Sequence, residues 1–96
     1  KLVNNLLCAA HLLTAGEAVR ILAAAGLDVP RALAGINAGS GRSAVSEVNL
    51  PTWILSGTFD SGFTMGLMRK DVRLAAGLVE ELDLDLPMAG VTAGLW

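Results

Sequence analysis

The first 25 residues, Lys1 to Ala25, contain no proline and consist mainly of leucine and alanine, with Gly16 as the one weak helix former. Such a stretch predicts a single long helix, and that helix must organise a chain of only 96 residues. Gly26 follows as a stop signal. Asp28 reads as the cap of a second helix with Pro30 in its first turn, running to about Ala38. Gly39-Ser40-Gly41 is a break.

A short helix is expected from about Ala44 to Leu50, with Pro51 ending or restarting it and Thr52 to Leu55 helical or extended. Ser56 to Gly62 reads as a loop. A second long helix runs from Phe63 to about Leu82, with Phe63, Leu67, Lys70 and Leu74 on one face by helical spacing. Asp83 to Asp85 breaks it, and Pro87 starts a last helix reaching Trp96. No Val/Ile/Thr-rich alternating run predicts a strand. The fold class is therefore all-α, about five helices, two of them long. Without a strand followed by a glycine-rich phosphate loop, the chain has no dinucleotide cradle of that kind.

Composition narrows the partners. The chain is 53% hydrophobic with a mean hydropathy of +0.57, apolar for so small a domain, so part of its surface is expected to meet another domain or subunit. Its uninterrupted apolar runs fall short of the roughly 20 residues of a membrane span, and no membrane is expected. The net charge is −2 with no basic block, which argues against nucleic acid. With one cysteine, Cys8, and one histidine, His11, neither an internal disulfide nor a metal site is expected. A single lysine followed by Asn4-Asn5 does not make a signal peptide, so a cytoplasmic location is expected.

Two polar interruptions carry the chemistry. Lys1 and Asn5 lie one helical turn apart on a shared face, with Asn4 and Cys8 flanking. A lysine on an apolar helix beside an amide suits a general acid or base, and Asn5 suits a substrate hydroxyl or carboxylate. The plain alternative is a snorkelling lysine and a capping asparagine. Far along the chain, Arg69-Lys70-Asp71 interrupts the second long helix. Lys70 shares a face with Phe63 and Leu67, so it either reaches a phosphate or carboxylate at a domain interface or is merely solvated. Asp71 either pairs with Lys70 or Arg69 or meets a group on another helix. Ser40-Gly41-Arg42-Ser43 reads first as a turn, although its amides suit an anion. Glu17 and His11 read as structural.

As a set these residues resemble a known family. Lys1-Leu2-Val3-Asn4-Asn5, Glu17-Ala18, Gly26-Leu27-Asp28, Ser40-Gly41-Arg42-Ser43, Gly62-Phe63, Leu67-Met68, Lys70-Asp71, Leu74-Ala75 and Leu86-Pro87 fall in the order of markers found in the C-terminal domain of the β-hydroxyacid dehydrogenases. That family includes 3-hydroxyisobutyrate dehydrogenase, tartronate semialdehyde reductase and L-threonate dehydrogenase, with 6-phosphogluconate dehydrogenase as a distant member. The resemblance implies a helical substrate and dimerisation domain over residues 1–96, of the 6-phosphogluconate dehydrogenase C-terminal-domain-like type. It also implies a separate N-terminal Rossmann domain that binds NAD or NADP.

By the same resemblance Lys1 is the catalytic acid/base, Asn5 and Asn4 bind substrate, and Lys70, Phe63 and Asp71 lie at the cofactor. The partners implied are a small hydroxyacid, the Rossmann domain of the same enzyme and a second copy of the chain. Three features depart from the family pattern. The glycine-rich run before the lysine is absent, the Rossmann domain and its Ser-Gly-Gly loop are absent, and the last helices are expected to be cut short. A chain of this extent is expected to be inactive alone. The competing reading is a non-catalytic helical dimerisation module, which would have no need for Lys1, Asn5 and Lys70 in one cleft.

Overall fold

The computed structural model describes residues 1–96 and contains five helices and no strand. We number them α1 (Leu2–Ala24), α2 (Val29–Asn37), α3 (Val45–Ile54), α4 (Met65–Glu81) and α5 (Pro87–Leu95). The all-α expectation holds, with α1 and α4 as the two long helices. The chain forms two compact units: Lys1–Ala10 with Gly62–Trp96, and His11–Ser61.

Helix ends follow local chemistry. At the end of α1, the Leu27 amide donates to the Leu22 carbonyl and the Gly26 amide to the Ala23 carbonyl, each at 3.0 Å. This closure needs a left-handed residue, and Gly26 supplies it at φ +77°. Asp28 caps α2 by accepting from the Arg31 amide at 3.1 Å. Thr64 caps α4 through the Leu67 amide at 3.2 Å. Phe63 therefore lies just before α4 rather than on it, because the Thr64 hydroxyl sets the helix start. The far end of α4 closes as α1 does, with the Leu84 amide on the Val79 carbonyl at 3.1 Å and the Asp83 amide on the Glu80 carbonyl at 3.0 Å. Here the left-handed residue is Asp83, at φ +55°.

The third helix corrects the sequence reading. Pro51 neither ends nor restarts it: α3 is a π-helix that runs through Pro51 to Ile54. In a π-helix each amide looks back five residues, so residue 51 would donate to the Ser46 carbonyl. Proline has no N–H to give. Instead Asn37 Nδ2, at the end of α2, donates to the Ser46 carbonyl at 3.0 Å. Ser43 and Ser46 cap the start of α3 reciprocally, each hydroxyl accepting from the other's amide, at 3.1 Å and 2.7 Å.

In the unit formed by Lys1–Ala10 and Gly62–Trp96, α4 packs on α5, and the buried residues are Ala9, Met68, Asp71, Val72, Ala75, Ala89 and Thr92. In the other unit α2 packs on α3 around Leu33, Val45, Ser46 and Leu50. Burying a valine such as Val72 or Val45 contributes about 1.5–3 kcal/mol.

Little of α1 is fully buried. It is apolar on every side, yet only Ala9 is buried, and Val3, Leu7 and Ile21 are more than half exposed. By length and composition this helix is apolar enough to cross a membrane, which the short uninterrupted runs did not suggest. Asn4, Asn5, His11, Thr14, Glu17 and Arg20 interrupt it.

Candidate functional site

The two polar interruptions meet. Asn5 Nδ2 donates to Asp71 Oδ2 at 2.6 Å, across 66 residues of sequence. Asp71 is 9% exposed and sits on the buried face of α4 beside Met68, Val72 and Ala75. A carboxylate there needs a donor to offset lost hydration, and the Asn5 amide provides one. Of the partners considered for Asp71, the group on another helix is the one observed.

The first turn of α1 forms when the Asn5 amide donates to the Lys1 carbonyl at 2.9 Å. Lys1 and Asn4 are exposed and Asn5 is half-buried. Asn4 Nδ2 lies 3.4 Å from Asn5 Oδ1, a long and weak contact. Lys1 immediately precedes α1, one turn from Asn5, and of the two it is Asn5 that meets Asp71.

Lys70 and Asp71, adjacent in sequence, part company on α4: Asp71 turns inward and Lys70 is exposed. The face that Lys70 shares with Leu67 and Leu74 is uncovered, and Phe63 just before it is 42% exposed. Lys70 and Phe63 are both exposed. With no strand in the chain, no pyrophosphate cradle of the glycine-loop kind is present.

Sequence reasoning missed what locks this unit. The Trp96 indole donates to the Ala9 carbonyl at 3.2 Å, and Arg69 Nε donates to the Trp96 carbonyl at 2.8 Å. These bonds tie the start of α1, the middle of α4 and the end of α5 together. No local pattern signals them, because the partners are 87 and 27 residues apart.

Other candidates fall away from this site. The Ser43 amide is taken by Ser46 and Arg42 Nη1 donates to the Gly39 carbonyl at 3.0 Å, so Ser40–Ser43 is a closed turn. A groove of about 470 Å³ within His11–Ser61 is lined by His11, Val19, Leu22, Leu33, Arg42 and other residues of that unit, and by none of the predicted site residues. No three His, Cys, Asp or Glu side chains cluster as metal ligands would. Burial pushes the Cys8 thiol above its ordinary range.

Against this geometry the comparisons with known proteins can be set. The whole chain, residues 1–96, matches the family described as NAD-binding of NADP-dependent 3-hydroxyisobutyrate dehydrogenase. It is also 33% identical over all 96 residues to 2-(hydroxymethyl)glutarate dehydrogenase of Eubacterium barkeri, covering 32% of that protein. The chain thus spans about a third of the length of the relative it matches. On these matches, the chain belongs to the NAD-binding hydroxyacid dehydrogenase family of oxidoreductases, whose cofactor is a nicotinamide nucleotide.

Proposed function

We propose that this chain is the helical C-terminal domain of an NAD(P)-dependent dehydrogenase acting on a small hydroxyacid. The observation that carries the reading is the 2.6 Å bond from Asn5 to Asp71, which brings together two polar segments that a purely structural helix pair would not need. The nicotinamide supplies the hydride chemistry when bound. Lys1 takes the substrate hydroxyl proton in oxidation and returns it in reduction. Asn5, held by Asp71, and the neighbouring Asn4 orient the substrate. Lys70 and Phe63 present a cation and an aromatic face to the cofactor side of the cleft. The main cofactor surface belongs to a Rossmann domain of the same enzyme.

A second reading, a helical dimerisation module, draws on one observation: α1 is apolar all round and only Ala9 is buried. The two readings are compatible if a second copy covers α1 while the first turn of α1 works in catalysis.

The test is a dehydrogenase assay on the full-length parent protein with NAD and NADP over a panel of small 2- and 3-hydroxyacids, wild type against Lys1→Ala. Loss of a general acid/base lowers kcat by about 10²–10⁴-fold. A parent silent on the whole panel, or an unimpaired variant, leaves the dimerisation module as the function.

A further inference from the structure

We infer that the groove of about 470 Å³ in the unit His11–Ser61 binds a small amphipathic carboxylate, with its charge at Arg42 and its alkyl part on the apolar lining. This ligand is neither the hydroxyacid nor the nicotinamide, and the inference does not depend on the reading of Lys1 and Asn5 given above. None of Lys1, Asn5, Lys70 and Asp71 lines the groove.

The volume falls within the range of about 300–1,000 Å³ typical of small-molecule sites. From α1 the groove takes one helical row, His11, Ala15, Ala18 and Leu22, spaced by four, three and four residues. Such a row runs about 16 Å along a helix. Ala15 and Ala18, at its middle, leave the space that larger side chains would fill. Leu33 of α2 and Leu50 of α3, both buried, extend the apolar lining.

The charge of the lining is one-sided. Arg42 is its only lysine or arginine, and no aspartate or glutamate belongs to it. Arg42 Nη1 donates to the Gly39 carbonyl at 3.0 Å. That acceptor is neutral, so the bond holds the guanidinium against its own turn without cancelling the charge. Gly41 lets the turn lie close to α2, since a Cβ there would stand 3.3 Å from Ile36 Cγ2. The N–H groups that remain on the guanidinium match the two oxygens of a carboxylate. The Ser43 amide is already taken by Ser46 Oγ at 2.7 Å, so the arginine side chain, rather than that amide, meets the anion.

One fixed cation beside an apolar wall suits a single negative charge on an alkyl body. A phosphate monoester brings close to two negative charges to one arginine. A cationic amphiphile meets it with like charge. A medium-chain carboxylate satisfies both parts of the groove.

The experiment titrates octanoate into the full-length parent protein by isothermal calorimetry, beside octanol and octylamine. Wild type is expected to take one octanoate per chain and to bind it about tenfold or more tightly than either analogue. Arg42 is exposed, so Arg42→Gln should leave the fold intact; it is expected to weaken octanoate by about tenfold or more and leave octanol unchanged. Ala18→Leu narrows the groove and is expected to weaken both; if that variant does not fold, Arg42→Gln decides alone. A wild type that takes up no octanoate, as when the rest of the enzyme or a second copy fills the groove, overturns the inference. Octanol bound as tightly as octanoate, or octanoate binding that Arg42→Gln leaves untouched, overturns it as well. Displacement of octanoate by a hydroxyacid substrate or by NAD or NADP would place the ligand in the dehydrogenase site and has the same result.

Discussion

Asn37 Nδ2 donates to the Ser46 carbonyl oxygen at 3.0 Å, and that oxygen is the one a π-helix would pair with residue 51, which is proline. A side chain from α2 thus completes the backbone ladder of α3. The other end of the Asn37 amide, Oδ1, is buried without a partner, so the substitution of side chain for main chain is imperfect.

This pairing predicts a coupled pair of variants. Asn37→Ala leaves a buried carbonyl unsatisfied and should destabilise the chain by about 1–3 kcal/mol. Pro51→Ala supplies the missing N–H and should recover part of that loss in the double variant. Urea midpoints of the two single variants and the double measure the coupling, and strictly additive effects would mean that Asn37 does not stand in for residue 51.

The end of α4 offers a stabilising change. Asp83 holds φ +55° where glycine is the usual occupant. Asp83→Gly relieves the left-handed strain and should stabilise by up to about 1 kcal/mol. Gly26→Ala at the equivalent point of α1, φ +77°, should cost about 1 kcal/mol. Thermal unfolding of both variants checks the opposite signs.

Cys8 yields a pH prediction. Its thiol is pushed up by burial, so the folded chain favours the neutral form. A group raised in the folded state contributes its stability below its unfolded pKa and loses it as pH rises through the folded value. Stability should therefore decline above the ordinary thiol range. Alkylation near pH 8 should be slower in the native chain than in urea, and Cys8→Ala should remove the alkaline decline.

The open face of α4 predicts insensitivity. Leu74 is 49% exposed and Leu67 46%. Leu74→Gln should shift the stability of the 96-residue chain by less than about 0.5 kcal/mol. Val72→Ala, on the buried side, should cost about 1–3 kcal/mol by the same chemical denaturation.

The elements most legible in the sequence were those set by local chemistry. Asp28 with Pro30, Gly26 and Pro87 each act within one turn, so α2, the end of α1 and the start of α5 could be read directly. α3 could not, because the residue that lets a helix pass through Pro51 comes from α2. On α4 the visible apolar row of Leu67 and Leu74 is the open face, while the buried face contains Asp71. Burying Asp71 makes sense only once Asn5 is known to face it. Lys1, Asn5, Lys70 and Asp71 were legible as candidates; that Asp71 turns inward and Lys70 outward required the packing.

The Asn5–Asp71 bond also has a consequence for the order of events on the ribosome. The two residues are 66 positions apart. At about 5–20 residues per second, Asn5 is made roughly 3–13 s before Asp71. During that interval the first turn of α1 lacks Asp71, the partner of Asn5. A chain interrupted before Asp71 therefore carries Lys1 and Asn5 without the carboxylate that accepts from Asn5.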